Sequence, residues 1–156
     1  MSVSLVDAPL SMLSIPVAWV LAMAPHAQKA FLAVQFKKFN NLAPRGMVDR
    51  MQNDSSIDKE AARLAQRLDG AHHNGMEIFP LWAAAITIGN VYKIENRTLN
   101  TCSVLFLTSR IVYNRLYATQ RTRSDASKRS LAWLFGVAIS MYLLIRGPMI
   151  QRTSTE

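Results

Sequence analysis

Four apolar segments separated by polar connections dominate the pattern of this chain. They predict long helices over residues 10–36, 74–92, 99–117 and 130–147. Crossing a bilayer takes about 20 mostly apolar residues, and each segment approaches that length with its flanks. Ser130 and Ser140 are the only polar side chains across residues 130–145, whereas an outer helix of a soluble bundle has a polar face. The pattern therefore predicts an all-α, integral membrane four-helix bundle forming one domain, residues 1–156.

The second helix is predicted to extend well beyond its apolar part. Ser55 to Asp58 resembles a capping box, and good helix formers follow it. A helix that begins near Ser56 and enters the bilayer near Glu77 would have roughly 36 residues and a length of about 54 Å. Its first half would then lie outside the membrane.

The charged residues indicate the class of binding partner and the orientation of the chain in the membrane. Lys and Arg number 18 against 10 Asp and Glu, a formal net charge of +8, which favours an anionic partner. Nucleic acid is excluded as a partner, because no reading motif and no basic stretch interleaved with exposed aromatic residues is present. The first and third connections hold most of the basic residues, whereas the middle one holds only Lys93 and Arg97. The positive-inside rule places those two basic loops in the cytosol, with the endoplasmic reticulum as the expected membrane.

Cysteine and histidine offer little chemistry. Cys102 is the only cysteine, so an internal disulfide and a Cys-based zinc site are both excluded. His72 and His73 are adjacent, and neighbouring side chains on a helix point about 100° apart. No metal site is predicted.

Polar residues recur at helical spacing inside the apolar helices, where such residues usually mark function. On the second helix Asn74 and Glu77 share a face with Arg67, two turns earlier. On the third helix Arg110, Tyr113 and Tyr117 form one stripe, and Arg129 stands at the entry to the fourth span. These groups should meet at the cytosolic ends of their helices, because successive spans run in opposite directions.

Structural roles remain open for the same residues. Arg129 on its own is consistent with an anchor at lipid phosphates, and Tyr113 and Tyr117 with interfacial aromatic residues. Glu77 and Arg67 are consistent with an interhelical ion pair. Anchors need no shared face, however, so the joint pattern favours a site for a small anionic ligand.

Three motifs in order resemble the MAPEG family, the membrane-associated proteins in eicosanoid and glutathione metabolism. The run RLDGAHHNGMEIFPLWAAA is similar to its second-helix signature through Asn74, Glu77, Phe79 and Pro80. SRIVYNRLY resembles its Arg-x-x-Tyr-x-x-x-Tyr pattern, and KRSLAWLFG the Arg-led start of its fourth helix. FKKFN is similar to a basic pair of the first loop, and GAHHNGMEIF resembles the fungal branch, of microsomal glutathione transferase type.

The resemblance implies a homotrimer that binds glutathione, a co-substrate, between neighbouring subunits. The implied glutathione-binding residues are Lys38, Arg67, Asn74, Glu77, Arg110, Tyr113 and Tyr117. Arg129 would be the catalytic group nearest the thiol. Arg forks and Tyr hydroxyls suit the two carboxylates of glutathione, and Glu77 suits its ammonium. A guanidinium beside the thiol favours the reactive thiolate.

Departures from the family pattern keep alternatives open. Gly70 stands where family enzymes often have a second basic residue, and the longer linker before Arg129 makes Arg121 or Arg123 an alternative partner of the thiol. The expected function is a membrane-bound glutathione transferase or peroxidase acting on lipophilic electrophiles that arrive through the membrane lipid. The alternatives are a non-catalytic lipid-binding scaffold and a tailoring enzyme of a fungal natural-product pathway.

Overall fold

The computed structural model describes residues 7–153, with side chains described as far as residue 150. This part of the chain contains five α-helices and no β-strand. The helices are α1 (Ser14–Gln35), α2 (Met47–Gln52), α3 (Lys59–Val91), α4 (Asn96–Thr119) and α5 (Arg123–Thr153). Short 3-10 turns at Ser11–Leu13 and Pro44–Gly46 precede α1 and α2. The predicted all-α fold class is confirmed.

Capping residues decide where the helices begin. The carboxylate of Asp58 accepts hydrogen bonds from the backbone N–H groups of Glu60 and Ala61, at 3.0 and 3.2 Å, so α3 begins at Lys59 and not near Ser56. Helix α5 begins at Arg123, seven residues before the predicted start of the fourth span. Asp125 stabilises that first turn, because its carboxylate accepts hydrogen bonds of 3.1 Å from the backbone N–H groups of Arg121 and Thr122.

Two segments are long and apolar enough to cross a membrane by length and composition. They are Ser11–Gln35, which contains α1, and Arg123–Ile150, which makes up most of α5. The predicted second span, 74–92, ends at the C-cap of α3, and the predicted third span lies within α4; neither helix meets the same criterion. Charged, amide and hydroxyl side chains recur along both of these helices and lower their mean hydropathy.

Helix α3 is the centre of the packing. It contacts α1, α4 and α5, and α4 in turn contacts α1 and α5. The α1–α3 crossing is close at Gly75, where an added Cβ would lie 3.0 Å from the Cα of Ala22. The main core forms around the stacked rings of Trp82 and Phe106, whose centroids are 4.0 Å apart and whose planes differ by 4°.

A smaller core fixes α2, a helix that the sequence pattern did not predict. Met47 and Met51 lie one turn apart on α2 and are fully buried against Ala33 of α1 and Ala65 of α3. Six residues are too few to form a stable helix alone, so this packing accounts for its presence.

A buried ion pair joins α1 to α3. The Lys29 ammonium contacts the Asp69 carboxylate, and the Lys29 side chain is only 4% exposed. Taking Lys29 out of water is unfavourable, and the contact with Asp69 compensates for it. The pair therefore holds two helices that lie 40 positions apart in sequence in one register.

Breaking this pair should destabilise the protein. We expect Lys29→Met to lower the free energy of unfolding by about 3 kcal/mol, the low end for broken buried pairs, because Asp69 keeps some contact with water. The measurement is thermal denaturation of the detergent-solubilised protein. Replacing both partners, in Lys29→Met with Asp69→Leu, should recover part of the loss. The exposed Lys59→Met is the control, and equal melting temperatures for Lys29→Met and Lys59→Met would contradict the assignment.

Candidate functional site

A row of two tyrosine side chains with an arginine at each end follows one face of α4 and reaches α5. The guanidinium of Arg110 lies 4.7 Å from the ring centroid of Tyr113, whose ring meets that of Tyr117 edge-on at 5.6 Å. The guanidinium of Arg129 lies over the Tyr117 ring at 4.6 Å. We call these four residues the arginine–tyrosine row. The predicted stripe on the third helix and the predicted entry residue of the fourth are thus in contact.

Arg110 occupies the buried end of the row. Its side chain is 4% exposed, and its Nη2 donates a hydrogen bond of 3.0 Å to the carbonyl oxygen of Ala132 on α5. Its Nε makes a weak contact with the hydroxyl of Ser109, and its Nη1 has no partner among the described residues. Arg110 therefore faces the packed α4–α5 interface, where it ties the two helices together.

Helix α3 packs directly against the other end of the row. The Nε of Arg67 donates to the carbonyl oxygen of Ala118 at 2.9 Å, across the α3–α4 interface. One turn further, Gly70 faces Tyr117 so closely that an added Cβ would overlap its hydroxyl and lie 2.9 Å from its Cζ. The Asn74 side-chain amide donates to the Gly70 carbonyl oxygen at 2.8 Å. The predicted α3 face thus adjoins Tyr117 and the end of α4.

Glu77 is the free anion of this region. It is exposed and makes no hydrogen bond or ion pair with any of the described residues. It lies on α3, about one turn beyond Asn74 and two turns beyond Gly70, the residue that contacts Tyr117. A ligand ammonium could therefore approach Glu77 without displacing an internal partner.

The three arginines considered as partners of a thiol differ in how they are held. Arg129 is half-buried, donates a 2.9 Å hydrogen bond to the side-chain oxygen of Gln120 and lies over Tyr117. Arg121 is largely exposed and approaches Glu60 at 4.0 Å. Arg123 is exposed at the first position of α5. Of these three arginines, Arg129 is the one whose guanidinium contacts a tyrosine of α4.

Two of the predicted glutathione-binding cations have internal anionic partners. Arg67 pairs with Glu60 at 2.7 Å, and its hydrogen bond lowers the pKa of that carboxyl. Lys38 pairs with Asp54, and its hydrogen bond holds the pKa of that carboxyl well below its usual range. Lys38 lies in the connection between α1 and α2 and contacts no member of the row. Arg67 thus organises the chain beside the end of α4, whereas Lys38 ties the loop after α1 to Asp54.

The sequence pattern missed two residues that organise the site. Glu60 stands two turns before Arg67 on the same face of α3, and that spacing was a usable signal. Gln120 is the C-cap of α4, and nothing in its local sequence indicates that it accepts from Arg129. The described residues contain no group of three or more His, Cys, Asp and Glu side chains that could hold a metal ion.

The contact between Gly70 and Tyr117 makes a sharp test of this geometry. In an exposed helix Gly→Ala stabilises by up to about 1 kcal/mol, but overpacking typically costs about 1–3 kcal/mol. We therefore expect Gly70→Ala to lower the melting temperature of the solubilised protein. Tyr117→Phe in the same chain removes the nearest colliding atom and should recover part of the loss. A Gly70→Ala variant more stable than the parent would show that α3 and Tyr117 are not in contact.

Comparison with known proteins identifies the scaffold that carries this arrangement. The model of the MAPEG family matches residues 9–147, which is most of the 156 residues. No curated protein and no solved structure gives a significant match. That family is helical and membrane-bound, and it includes glutathione transferases and related enzymes. The chain belongs to the MAPEG family.

Proposed function

We propose that this protein is a membrane-bound glutathione transferase that conjugates glutathione to hydrophobic electrophiles. The observation that carries the proposal is the arginine–tyrosine row, with Arg129 over Tyr117 at one end, together with the exposed, unpaired Glu77 on α3, the helix that contacts Tyr117. Membership of the MAPEG family makes glutathione the first ligand to test. The proposal includes four membrane spans, the basic loops in the cytosol and the endoplasmic reticulum as the membrane.

The polar groups of the site suit those of glutathione. The tripeptide carries two carboxylates, one ammonium and a thiol. Tyrosine hydroxyls and the Asn74 amide suit the carboxylates, while Glu77 suits the ammonium. Arg67 and Lys38 hold Glu60 and Asp54 and so support the site from outside it. In this proposal Arg110 acts through its contact with Tyr113.

The chemistry requires a thiolate close to a cation. An unperturbed cysteine thiol has a pKa of about 8.5, so only a small fraction is ionised at neutral pH. A guanidinium beside the sulfur lowers that pKa, and a shift of about two units corresponds to about 2.7 kcal/mol. The thiol proton leaves to water, the sulfur bonds to the electrophilic carbon, and the leaving group departs with its electron pair.

A homotrimer completes the proposed site. Glu77 and one side of Arg129 are accessible in the single chain, so a neighbouring subunit could close the site over the ligand. Large apolar side chains are exposed on the outer faces of the membrane-capable helices, among them Val20, Phe31, Leu131 and Leu134. Such faces suit contact with lipid or with another subunit. A lipophilic substrate would enter from the bilayer.

The role of Arg129 is tested by conjugation of glutathione to a chlorinated nitroarene. We expect Arg129→Ala to lower kcat at saturating glutathione and pH 7 by about 25-fold, because a thiol with a pKa of about 6.5 is about three-quarters ionised there and one with a pKa of about 8.5 only about 3%. Part of the loss should return as the pH rises toward the pKa of the free thiol. Lys128→Ala removes a neighbouring exposed charge and should leave kcat unchanged. Full activity in Arg129→Ala, with loss in Arg121→Ala or Arg123→Ala, would move the role to that residue.

The second candidate function is a non-catalytic lipid-binding scaffold on the same fold. Lys38 pairs with Asp54 and Arg67 with Glu60, and the neutral Tyr117 fills the space beside Gly70. These contacts favour the scaffold because they leave few free cations to bind glutathione. A tailoring enzyme of a natural-product pathway would use the same thiolate on another substrate.

Calorimetry with glutathione on the solubilised protein separates these functions. We expect binding in the parent and a Kd about tenfold higher in Glu77→Gln, a loss of about 1.4 kcal/mol from the ammonium contact. Glu95→Gln, before α4, is the matched control. No binding to the parent, together with a co-purified lipid, would support the scaffold.

A further inference from the structure

The loop between α1 and α2, residues 36–46, presents apolar side chains outward. Leu42 is 97% exposed, the highest exposure of any large apolar residue described, and Phe39 is 43% exposed. The loop lies outside the arginine–tyrosine row and takes no part in the proposed chemistry. Single exposed leucines are common on protein surfaces, but the backbone that carries Leu42 is fixed by several hydrogen bonds.

The backbone of this loop is held in place from both ends. The guanidinium of Arg50 donates through Nε to the carbonyl oxygen of Lys38 at 2.9 Å and through Nη2 to that of Ala43 at 3.0 Å. The side-chain oxygen of Asn40 accepts from the backbone N–H of Leu42 at 2.9 Å. Arg50 belongs to α2, which is itself fixed in a small core. Leu42 is therefore held away from the protein by a braced loop.

The position of the loop indicates what it meets. It follows the membrane-capable segment Ser11–Gln35, whose 25 residues span about 37 Å as a helix, against about 30 Å of hydrocarbon. The end of α1 therefore lies at the headgroup level, and the loop follows at once. The apolar side chains are flanked by exposed Lys37 and Arg45, while Lys38 and Arg50 are occupied internally. Apolar groups beside basic ones suit an interface with anionic lipid.

We propose that residues 36–46 form an interfacial anchor for anionic phospholipid. Leu42 and Phe39 insert at the boundary of the acyl chains, and Lys37 and Arg45 contact the headgroups. Through Arg50 the anchor fixes the height of α2, and through the α2 core it fixes the height of the first turns of α3. The anchor thus sets how the part of α3 outside the membrane sits on the bilayer surface, and it does so whether or not the protein binds glutathione.

Spin labelling tests the anchor in the intact protein. Cys102 is buried and is the only cysteine, so Cys102→Ala gives a background for Leu42→Cys labelled with a nitroxide. Each variant is reconstituted in vesicles of phosphatidylcholine with or without phosphatidylserine. Collision with oxygen reports the bilayer, and collision with a water-soluble nickel chelate reports water. Gln52→Cys, an exposed polar position on α2, is the matched control, and each variant must keep the melting temperature of the background.

We expect the ratio of oxygen to nickel collisions to be several-fold higher at position 42 than at position 52, and higher with phosphatidylserine than without. Lys37→Glu with Arg45→Glu should shift the label at 42 toward water. Equal ratios at 42 and 52 would overturn the anchor. An immobilised label shielded from both reagents would also overturn it, because protein, such as a second copy of this chain, would then cover Leu42. A ratio insensitive to phosphatidylserine and to the charge reversal would overturn the role of the anionic headgroups.

Discussion

The contact between arginine guanidinium groups and tyrosine rings along α4 is the interaction on which the rest of this structure depends. Arg110 is almost fully buried without a carboxylate partner among the described residues, which is unfavourable for an isolated charge. The faces of Tyr113 and Phe106 and the carbonyl oxygen of Ala132 supply its compensation. Cation–ring contacts contribute about 2 kcal/mol each when desolvated. This compensation keeps α4 and α5 together where the proposed chemistry occurs.

The same row explains why the surrounding cations have separate roles. Cations that pair with a carboxylate of the chain, such as Lys29, Lys38 and Arg67, fix helices and loops relative to one another. Arg129 instead bonds to a neutral amide and lies on a ring, so its charge is not cancelled by an internal anion. Glu77 is the complementary case among the anions. In the proposed function, Arg129 and Glu77 are the cation and the anion that a zwitterionic peptide would meet.

Much of the fold followed from local sequence, because long apolar segments determine helices almost independently of context. Helix starts were displaced where a cap decided them, as at Asp58, which caps α3 while the side chain of Ser56 bonds to Asp54. Helix α2 was missed because its stability comes from residues on α1 and α3. In the site, the spacing of Arg110, Tyr113 and Tyr117 correctly indicated one face. The burial of Arg110 and the bond from Arg129 to Gln120 depend on how α4 and α5 approach each other, which no local pattern encodes.

Gly70 shows how a departure from a family pattern can be interpreted physically. Its position lacks the expected basic side chain, and the hydroxyl of Tyr117 occupies the space instead. A neutral hydroxyl therefore stands where family enzymes often have a charged side chain. In the proposed function the thiolate is then stabilised mainly by Arg129. The account thus depends on one cation stabilising one sulfur anion.

The ionisation of glutathione bound to the protein tests that dependence most directly. Thiolate absorbance can be followed during a pH titration of glutathione with excess solubilised protein, with the protein alone as the blank. We expect a midpoint about two pH units below the pKa of an unperturbed thiol, which is about 8.5. A midpoint equal to that of free glutathione, under conditions where calorimetry shows binding, would contradict it.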